Sequence, residues 1–300
     1  FVDYKLYKIY KEDVNMEVIL GKTAGFCYGV KRAVEGAKTE IEKCRNTYCL
    51  GEIVHNKQVV EKLEKKGMKF IENLDEIKQK DANVIIRAHG VPKKIYELAK
   101  EKNVQVKDYT CPNVLKIHQI ADKYSEEGYY IILCGNGNHP ENLGTISHCN
   151  KNYDVIEKEE EINSIIEKII RNNIDKVLLI SQTTYNLEKF RNIEKVLKNQ
   201  LSEKNIELIV KNTICRATEL RQKETEEIAQ KVDYMIIIGG KNSSNTKKLF
   251  EIAKKHCDNT VCIETVNELD IEKVKKFNTI GIMAGASTPD ESIKDVLSIL

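Results

Sequence analysis

The sequence of 300 residues lacks the features that would place it in several large classes of protein. Its apolar runs, such as Tyr234 to Ile238, fall far short of the roughly 20 residues that a bilayer-spanning helix needs, so no membrane span is expected. Only four prolines are present and 41% of the residues are hydrophobic, which excludes a disordered tail or a collagen-like repeat and leaves apolar side chains for two or three cores. An excess of one charge is also missing. Forty-eight basic residues face 46 acidic ones, mixed along the chain, so no footprint for nucleic acid is visible. No charged-then-apolar leader opens the sequence and its nine cysteines are an odd number; a secreted disulfide framework is not expected, and a reducing, cytoplasmic location is. Neither Cys-x-x-Cys nor Gly-x-x-x-x-Gly-Lys-Ser/Thr occurs, which argues against a zinc ribbon and a P-loop nucleotide hydrolase.

What is present is alternation. Residues Phe1 to Asn15 are charged and tyrosine-rich without clear periodicity and read as an appendage. From Met16 onward short β-branched runs alternate with amphipathic Lys/Glu-rich stretches: Glu17 to Leu20, Val30 to Lys43, Tyr48 to Leu50, Gln58 to Lys66, Val84 to Arg87 and Lys93 to Lys102. That pattern predicts βαβ units and parallel sheets.

The alternation also repeats. Cys27, Cys111 and Cys215 each end a predicted strand and open a predicted helix, and Gly51, Gly135 and Gly239 each lie 24 residues further on. Four residues past each glycine stands a polar group, His55, His139 or Ser243. Later in each repeat another strand ends in a small polar turn: Ala88-His89-Gly90, Ser181-Gln182-Thr183-Thr184 and Ala284-Gly285-Ala286-Ser287-Thr288. The chain therefore reads as an α/β protein of three pseudo-repeated small domains with parallel sheets, residues 28–110, 111–214 and 215–300; if these pack about a pseudo-threefold axis in a trefoil arrangement, one central cavity receives all three cysteines. The third repeat lacks a last strand of its own. Residues 16–27, which lead to Cys27 as similar strands lead to Cys111 and Cys215, are predicted to complete its sheet.

In parallel α/β units ligands collect at the carboxyl ends of the strands, where the three cysteines and the polar turns all fall. Three thiolates from separate repeats match neither paired zinc ligands nor a disulfide. A cubane [4Fe-4S] cluster normally takes four cysteines, so three would leave one iron open as a Lewis acid. The bland alternative is that each cysteine is a small core residue at a helix start, and the shared register weighs against it.

Around the cysteines lie anion-binding groups. Gly239-Gly240-Lys241-Asn242-Ser243-Ser244-Asn245-Thr246 offers consecutive hydroxyl and amide donors where a helix starts, suited to a phosphate or diphosphate. His55-Asn56, His89-Gly90 and Ser287-Thr288 add imidazoles, amides and hydroxyls. The second repeat alone puts a carboxyl group six residues past its glycine, in Gly135-Asn136-Gly137-Asn138-His139-Pro140-Glu141, where the others have Lys57 and Asn245. Buried beside His139, Glu141 is a candidate proton donor; the competing reading is a glutamate favoured by the helix dipole.

Eight segments resemble, in order, the motifs of the 4-hydroxy-3-methylbut-2-enyl diphosphate reductases: Gly25-Phe26-Cys27-Tyr28-Gly29-Val30, Gly51-Glu52-Ile53-Val54-His55-Asn56, Ala88-His89-Gly90-Val91, Asp108-Tyr109-Thr110-Cys111-Pro112, His139-Pro140-Glu141, Ser181-Gln182-Thr183-Thr184, Lys241-Asn242-Ser243-Ser244-Asn245-Thr246 and Ala284-Gly285-Ala286-Ser287-Thr288-Pro289. The resemblance runs from about Met16 to Leu300. It implies a trefoil around a [4Fe-4S] cluster held by Cys27, Cys111 and Cys215, whose open iron takes the allylic hydroxyl of the substrate. Two electrons and two protons then remove that hydroxyl as water, giving isopentenyl or dimethylallyl diphosphate. By the same resemblance Glu141, Thr183 and His139 form the catalytic set, and His55, His89, His139, Ser243, Ser244, Asn245 and Ser287 hold the diphosphate. Ferredoxin or flavodoxin is the implied electron donor. Many members carry a histidine where this chain has Asn136, which is assigned no role.

Two further readings stay open on sequence: a non-redox iron–sulfur hydro-lyase acting on a phosphorylated substrate, which would need no electron donor, and a cluster-based sensor, which would need no diphosphate pocket. Cys44, Cys49, Cys134, Cys149, Cys257 and Cys262 lie outside the register and read as structural or incidental thiols. His118, His148 and His256 have no counterpart in the other repeats and read as surface or packing residues.

Overall fold

A computed structural model describes residues 5–11, 14–79 and 81–300. The elements leading into and through the first repeat are β1 (Lys5–Lys11), β2 (Val14–Leu20), α1 (Tyr28–Lys43), β3 (Thr47–Leu50), α2 (Lys57–Glu64), β4 (Lys69–Ile71), β5 (Asn83–Ile86), α3 (Lys93–Glu101) and β6 (Gln105–Asp108). The second contains α4 (Pro112–Glu126), β7 (Tyr130–Cys134), α5 (Pro140–Ile146), β8 (Tyr153–Ile156), α6 (Ile162–Arg171), β9 (Lys176–Ser181), α7 (Leu187–Ser202) and β10 (Glu207–Val210). The third contains α8 (Arg216–Ala229), β11 (Tyr234–Ile238), α9 (Ser244–His256), β12 (Thr260–Ile263), α10 (Ile271–Val274), β13 (Thr279–Ala284) and α11 (Asp290–Ile299). None of the described helices is long and apolar enough to cross a membrane.

The chain groups into two compact units. One holds the described residues up to Lys31, Val54–Leu63 and Arg216–Leu300, and is built on a sheet of order β1-β2-β13-β11-β12. Its β2, β13, β11 and β12 are parallel, with Glu17 beside Thr279 and Leu20 beside Ile282. The strand that leads to Cys27 thus lies in the sheet of the third repeat. Within the segment read as an appendage, Lys5–Lys11 form an antiparallel edge strand, Lys5 opposite Leu20, while residues 1–4, 12 and 13 lie outside the described residues. Val54–Leu63 groups here because its side chains and backbone are tied here: the His55 carbonyl accepts from Ser287 Oγ at 3.3 Å and Gln58 Oε1 from Ser292 Oγ at 2.7 Å.

The other unit, Arg32–Ile53 and Glu64–Cys215, carries two parallel sheets, of order β4-β3-β5-β6 and β10-β9-β7-β8. In all three sheets the central pair, β3/β5, β7/β9 or β11/β13, is almost wholly buried, as expected of strands covered on both faces. Ile132, Leu179, Val84, Ile236 and Ile282 are completely shielded from solvent. The outer strands β6 and β10 are only half-buried.

Strand order therefore reverses between the two central strands of each sheet. The crevice beyond the carboxyl ends of such a reversal is where an open α/β sheet binds ligands. The turns that follow β3, β7 and β11 on one side and β5, β9 and β13 on the other are those that carry the polar groups singled out above.

Candidate functional site

The same backbone contacts hold each cysteine. The N–H of Cys111 donates to the Ala88 carbonyl at 3.0 Å, that of Cys215 to Thr183 at 2.9 Å and that of Cys27 to Ala286 at 3.2 Å. Each acceptor stands two residues past the last residue of β5, β9 or β13. The glycine turns repeat too: the N–H groups of Gly51, Gly135 and Gly239 donate to Ile71, Ile156 and Ile263 at 2.7, 2.9 and 2.9 Å. Cys27, Cys111 and Cys215 are all partly accessible and in no disulfide, each immediately before the first residue of α1, α4 or α8. Pro112 follows Cys111 at the first helical position, where its fixed φ and missing N–H cost nothing.

The other thiols differ. Cys49 and Cys134 are fully buried in central strands, and burial pushes both well up, Cys49 to about 12. Burial raises Cys149 to about 12 and also lifts Cys262. A thiol held neutral is a poor metal ligand and a poor nucleophile.

Two units of site geometry can be built from residues. In the Arg32–Cys215 unit, Asn138-His139 leads into α5, which opens Pro140-Glu141, and His139 caps it, Nδ1 accepting from the Glu141 N–H at 3.2 Å. This leaves the Nε2 of a neutral ring as the N–H side. The His89 ring lies 5.4 Å from it, centroid to centroid, at 87°. Glu141 is 2% exposed, and both its oxygens are occupied: Oε1 accepts from the Thr183 N–H at 2.6 Å and Oε2 from the Thr183 hydroxyl at 2.7 Å. Burial raises its carboxyl to about 7, against the opposing pull of those two bonds. Thr183 thus touches the acid through two donors and Cys215 through its carbonyl.

Neighbouring groups fix this arrangement. Asn142 Nδ2 donates to Gln182 Oε1 at 3.0 Å and to the Asn136 carbonyl at 2.7 Å, joining the turns after β7 and β9. Only a glycine fits at 135, because a Cβ there would run into Asn142 Nδ2 and Gln182 Oε1. Asn113, on the first turn of α4, directs Nδ2 at the Cys215 sulfur, 3.0 Å away. Asn113 has no motif signal, and its role is visible only once Cys111 and Cys215 are placed.

In the other unit Ser243 caps α9, its Oγ accepting from the Thr246 N–H at 3.3 Å. The Asn245 side chain is 3% exposed, and its Nδ2 and Oδ1 are both buried without a protein partner. Buried amides are rarely left so, and an orphaned pair inside a helix N-terminal turn marks a place for a polar ligand group. Ser287 sits 3.3 Å from the His55 carbonyl, and a Cβ on Gly240 would collide with that same carbonyl. His55, Ser243, Ser244, Asn245 and Ser287 hence belong to one compact unit, and His89, His139, Glu141 and Thr183 to the other.

The remaining histidines have partners. His118 and His148 stack at 4.3 Å, His148 Nδ1 lies 2.7 Å from Asp122 Oδ2, and burial, then His148, drives His118 down to about 4. His256 stands 3.3 Å from Glu226 on the surface. Asn136 bonds Glu157 at 3.1 Å.

The model of the LytB protein family matches residues 18–300. A 4-hydroxy-3-methylbut-2-enyl diphosphate reductase of Thermoanaerobacter sp. (strain X514) is 44% identical over 286 residues, 94% of this chain and 96% of the relative. The solved E-1-hydroxy-2-methyl-but-2-enyl-4-diphosphate reductase of Plasmodium falciparum superposes with a TM-score of 0.86 at 32% identity, over 94% of this chain and 87% of that one. A second solved structure, described as (E)-4-hydroxy-3-methyl-but-2-enyl diphosphate reductase, the terminal enzyme of the non-mevalonate pathway, gives 0.68 at 39% identity, over 94% and 98%. From its motifs, its repeated sheets and these likenesses, the chain belongs to the LytB family.

Proposed function

We propose that this chain is a 4-hydroxy-3-methylbut-2-enyl diphosphate reductase, which removes the allylic hydroxyl of its substrate as water. The reaction consumes two electrons and two protons and yields isopentenyl and dimethylallyl diphosphates. The observation that carries the reading is the buried Glu141, raised to about 7, with Thr183 on both oxygens and Thr183 in turn bonded to the Cys215 backbone. An acid with that pKa is protonated often enough near neutrality to give up a proton, and can recover it afterwards.

The donor set fits a [4Fe-4S] cluster held by Cys27, Cys111 and Cys215. All three are partly accessible, in no disulfide and in the same backbone register, whereas Cys49 and Cys134 are sealed in strands. Such a cluster would supply low-potential electrons and, with three protein ligands, an iron able to act as a Lewis acid. The Asn113 amide stabilises negative charge on the Cys215 sulfur. Ferredoxin or flavodoxin is the donor we assign, in a reducing, cytoplasmic compartment.

The diphosphate would be held by His55, His89, His139, Ser243, Ser244, Asn245 and Ser287. The orphaned Asn245 amide and the capped turn of α9 support this, since N–H donors at a helix start suit an oxyanion. Binding energy from the diphosphate is remote from the reacting carbon, so it can orient the hydroxyl end without being spent on the bond that breaks. Thr183 steers the Glu141 proton: its N–H and hydroxyl hold the carboxylate in one orientation while the proton leaves.

The test is anaerobic. Protein reconstituted with iron and sulfide is mixed with reduced methyl viologen and the hydroxylated diphosphate, and dye oxidation is followed while products are identified. Substrate-dependent oxidation with both isoprenoid diphosphates is expected; a fully loaded protein that oxidises no dye would overturn the reading. Cys111→Ser is expected to lose most of its iron after reconstitution, and a mutant with a full, stable cluster would remove Cys111 from the ligand set.

A further inference from the structure

The helix that begins directly after Cys215 has an unusual inner face. In α8 the residues turned inward are Thr218, Arg221, Gln222, Glu224 and Thr225, with Ile228 and Ala229 following. A helix on a globular protein normally buries an apolar stripe at this spacing. Arg221 and Glu224 are 3% and 2% exposed, and charged side chains are almost never so deeply buried unless they are held.

Both grip one short loop. Glu224 Oε1 accepts from the Lys22 N–H at 2.7 Å and Oε2 from the Thr23 N–H at 2.9 Å, with the Thr23 hydroxyl also on Oε2. Arg221 Nε donates to the Thr23 carbonyl at 2.8 Å and Nη2 to the Gly25 carbonyl at 3.0 Å. The loop between β2 and α1 is therefore held at Lys22, Thr23 and Gly25 by charge-assisted bonds from a helix about 200 residues away in sequence, all within one compact unit. On its other flank the N–H groups of Gly21, Gly25 and Cys27 donate to Ile282, Ala284 and Ala286. Gly25, at φ +97°, adopts the left-handed turn that this double grip requires.

We infer that Arg221 and Glu224 are positioning residues that set the Gly21–Gly25 loop, and through it Cys27, in the metal-binding conformation before any metal arrives. The inference rests on the reading of Cys27 as a cluster ligand. A pre-set ligand loop binds metal without an ordering cost at the moment of assembly, and outer groups that orient ligands are worth about 10- to 100-fold in metal affinity. The contacts of both residues are to the Lys22–Gly25 loop, so the effect is expected at Cys27 and not in the chemical step.

The experiment uses the full chain in two forms. In the metal-free protein, kept anaerobic and reduced, the alkylation rates of Cys27, Cys111 and Cys215 by iodoacetamide are measured by peptide mass in the parent, Glu224→Gln, Arg221→Met and Thr23→Val. In the reconstituted protein, the rate of iron release to a chelator is measured in the same set and in Cys27→Ser. Glu224→Gln and Arg221→Met are expected to raise Cys27 alkylation and iron release by about tenfold or more, Thr23→Val by less, with Cys111 and Cys215 changed by no more than about twofold. Parent rates in Glu224→Gln and Arg221→Met would overturn the inference, as would a rise shared equally by all three thiols, which would mean general loosening of the fold. If the charge variants do not fold, Thr23→Val, lacking only the hydroxyl that bonds Glu224, decides: a rise confined to Cys27 supports the inference and parent rates overturn it. Full iron in Cys27→Ser would instead overturn the cysteine assignment, whatever the loop variants do.

Discussion

Glu141 combines a cost and a use in one carboxyl group. Burial raises it from 4.5 to about 7. Between those values the folded protein keeps a proton that the unfolded chain has released, so stability is lost as pH rises through that window and stays lost above it. Glu141→Gln is therefore expected to melt at higher temperature than the parent well above pH 7, by the equivalent of about 3 kcal/mol, with the gap closing in acid; thermal denaturation across pH checks it. The same substitution is expected to lower turnover at least about 100-fold while iron content is retained, because a group that supplies a proton in the transition state is gone. In the parent, turnover should fall as pH rises through about 7. Asn113 makes a separate prediction. Its N–H to the Cys215 sulfur, 3.0 Å away, favours the more negative, reduced cluster, so Asn113→Ala should lower the cluster's reduction potential, measured by EPR-monitored titration.

At the scale of elements, the turns after the central strands depend on close approach. Gly135→Ala would press a Cβ into the paired Asn142 and Gln182 amides, and a loss of about 1–3 kcal/mol is expected in urea denaturation. Gly137→Ala, whose Cβ would meet only Val155 at 3.9 Å, should change stability by less than about 0.5 kcal/mol. The cysteine and glycine registers were legible in sequence because turns and helix starts restrict residue type. The strands β4, β8 and β12 were not, being short and half-buried, with no clean alternation. A signal for them does exist: Ile71-Glu72, Ile156-Glu157 and Ile263-Glu264 each precede a second glutamate, Glu76, Glu161 or Glu268, whose carboxylate accepts from the backbone N–H of the first. β1 left no trace, since Lys5–Lys11 gains its partner only from β2. The Arg221 and Glu224 clamp was hidden for a different reason: on a helix rich in charge, periodicity alone does not tell an inward charge from a solvated one.

For the whole molecule, one plan recurs: a glycine turn after the first strand, a reversal of strand order, and a cysteine N–H tied two residues past the third strand. The fold class followed from that repetition, whereas the division into two compact units did not, because it depends on where Val54–Leu63 packs. Repetition also explains how one α/β plan came to carry different chemistry, with Glu141 standing where the other repeats have Lys57 and Asn245. The most direct test of the central claim is turnover in D2O with a counted supply of electrons. Two electrons consumed per product, and one carbon-bound deuterium in each isopentenyl or dimethylallyl diphosphate, are the predicted result. Conversion of the substrate without electron consumption, or products carrying no carbon-bound deuterium, would contradict it.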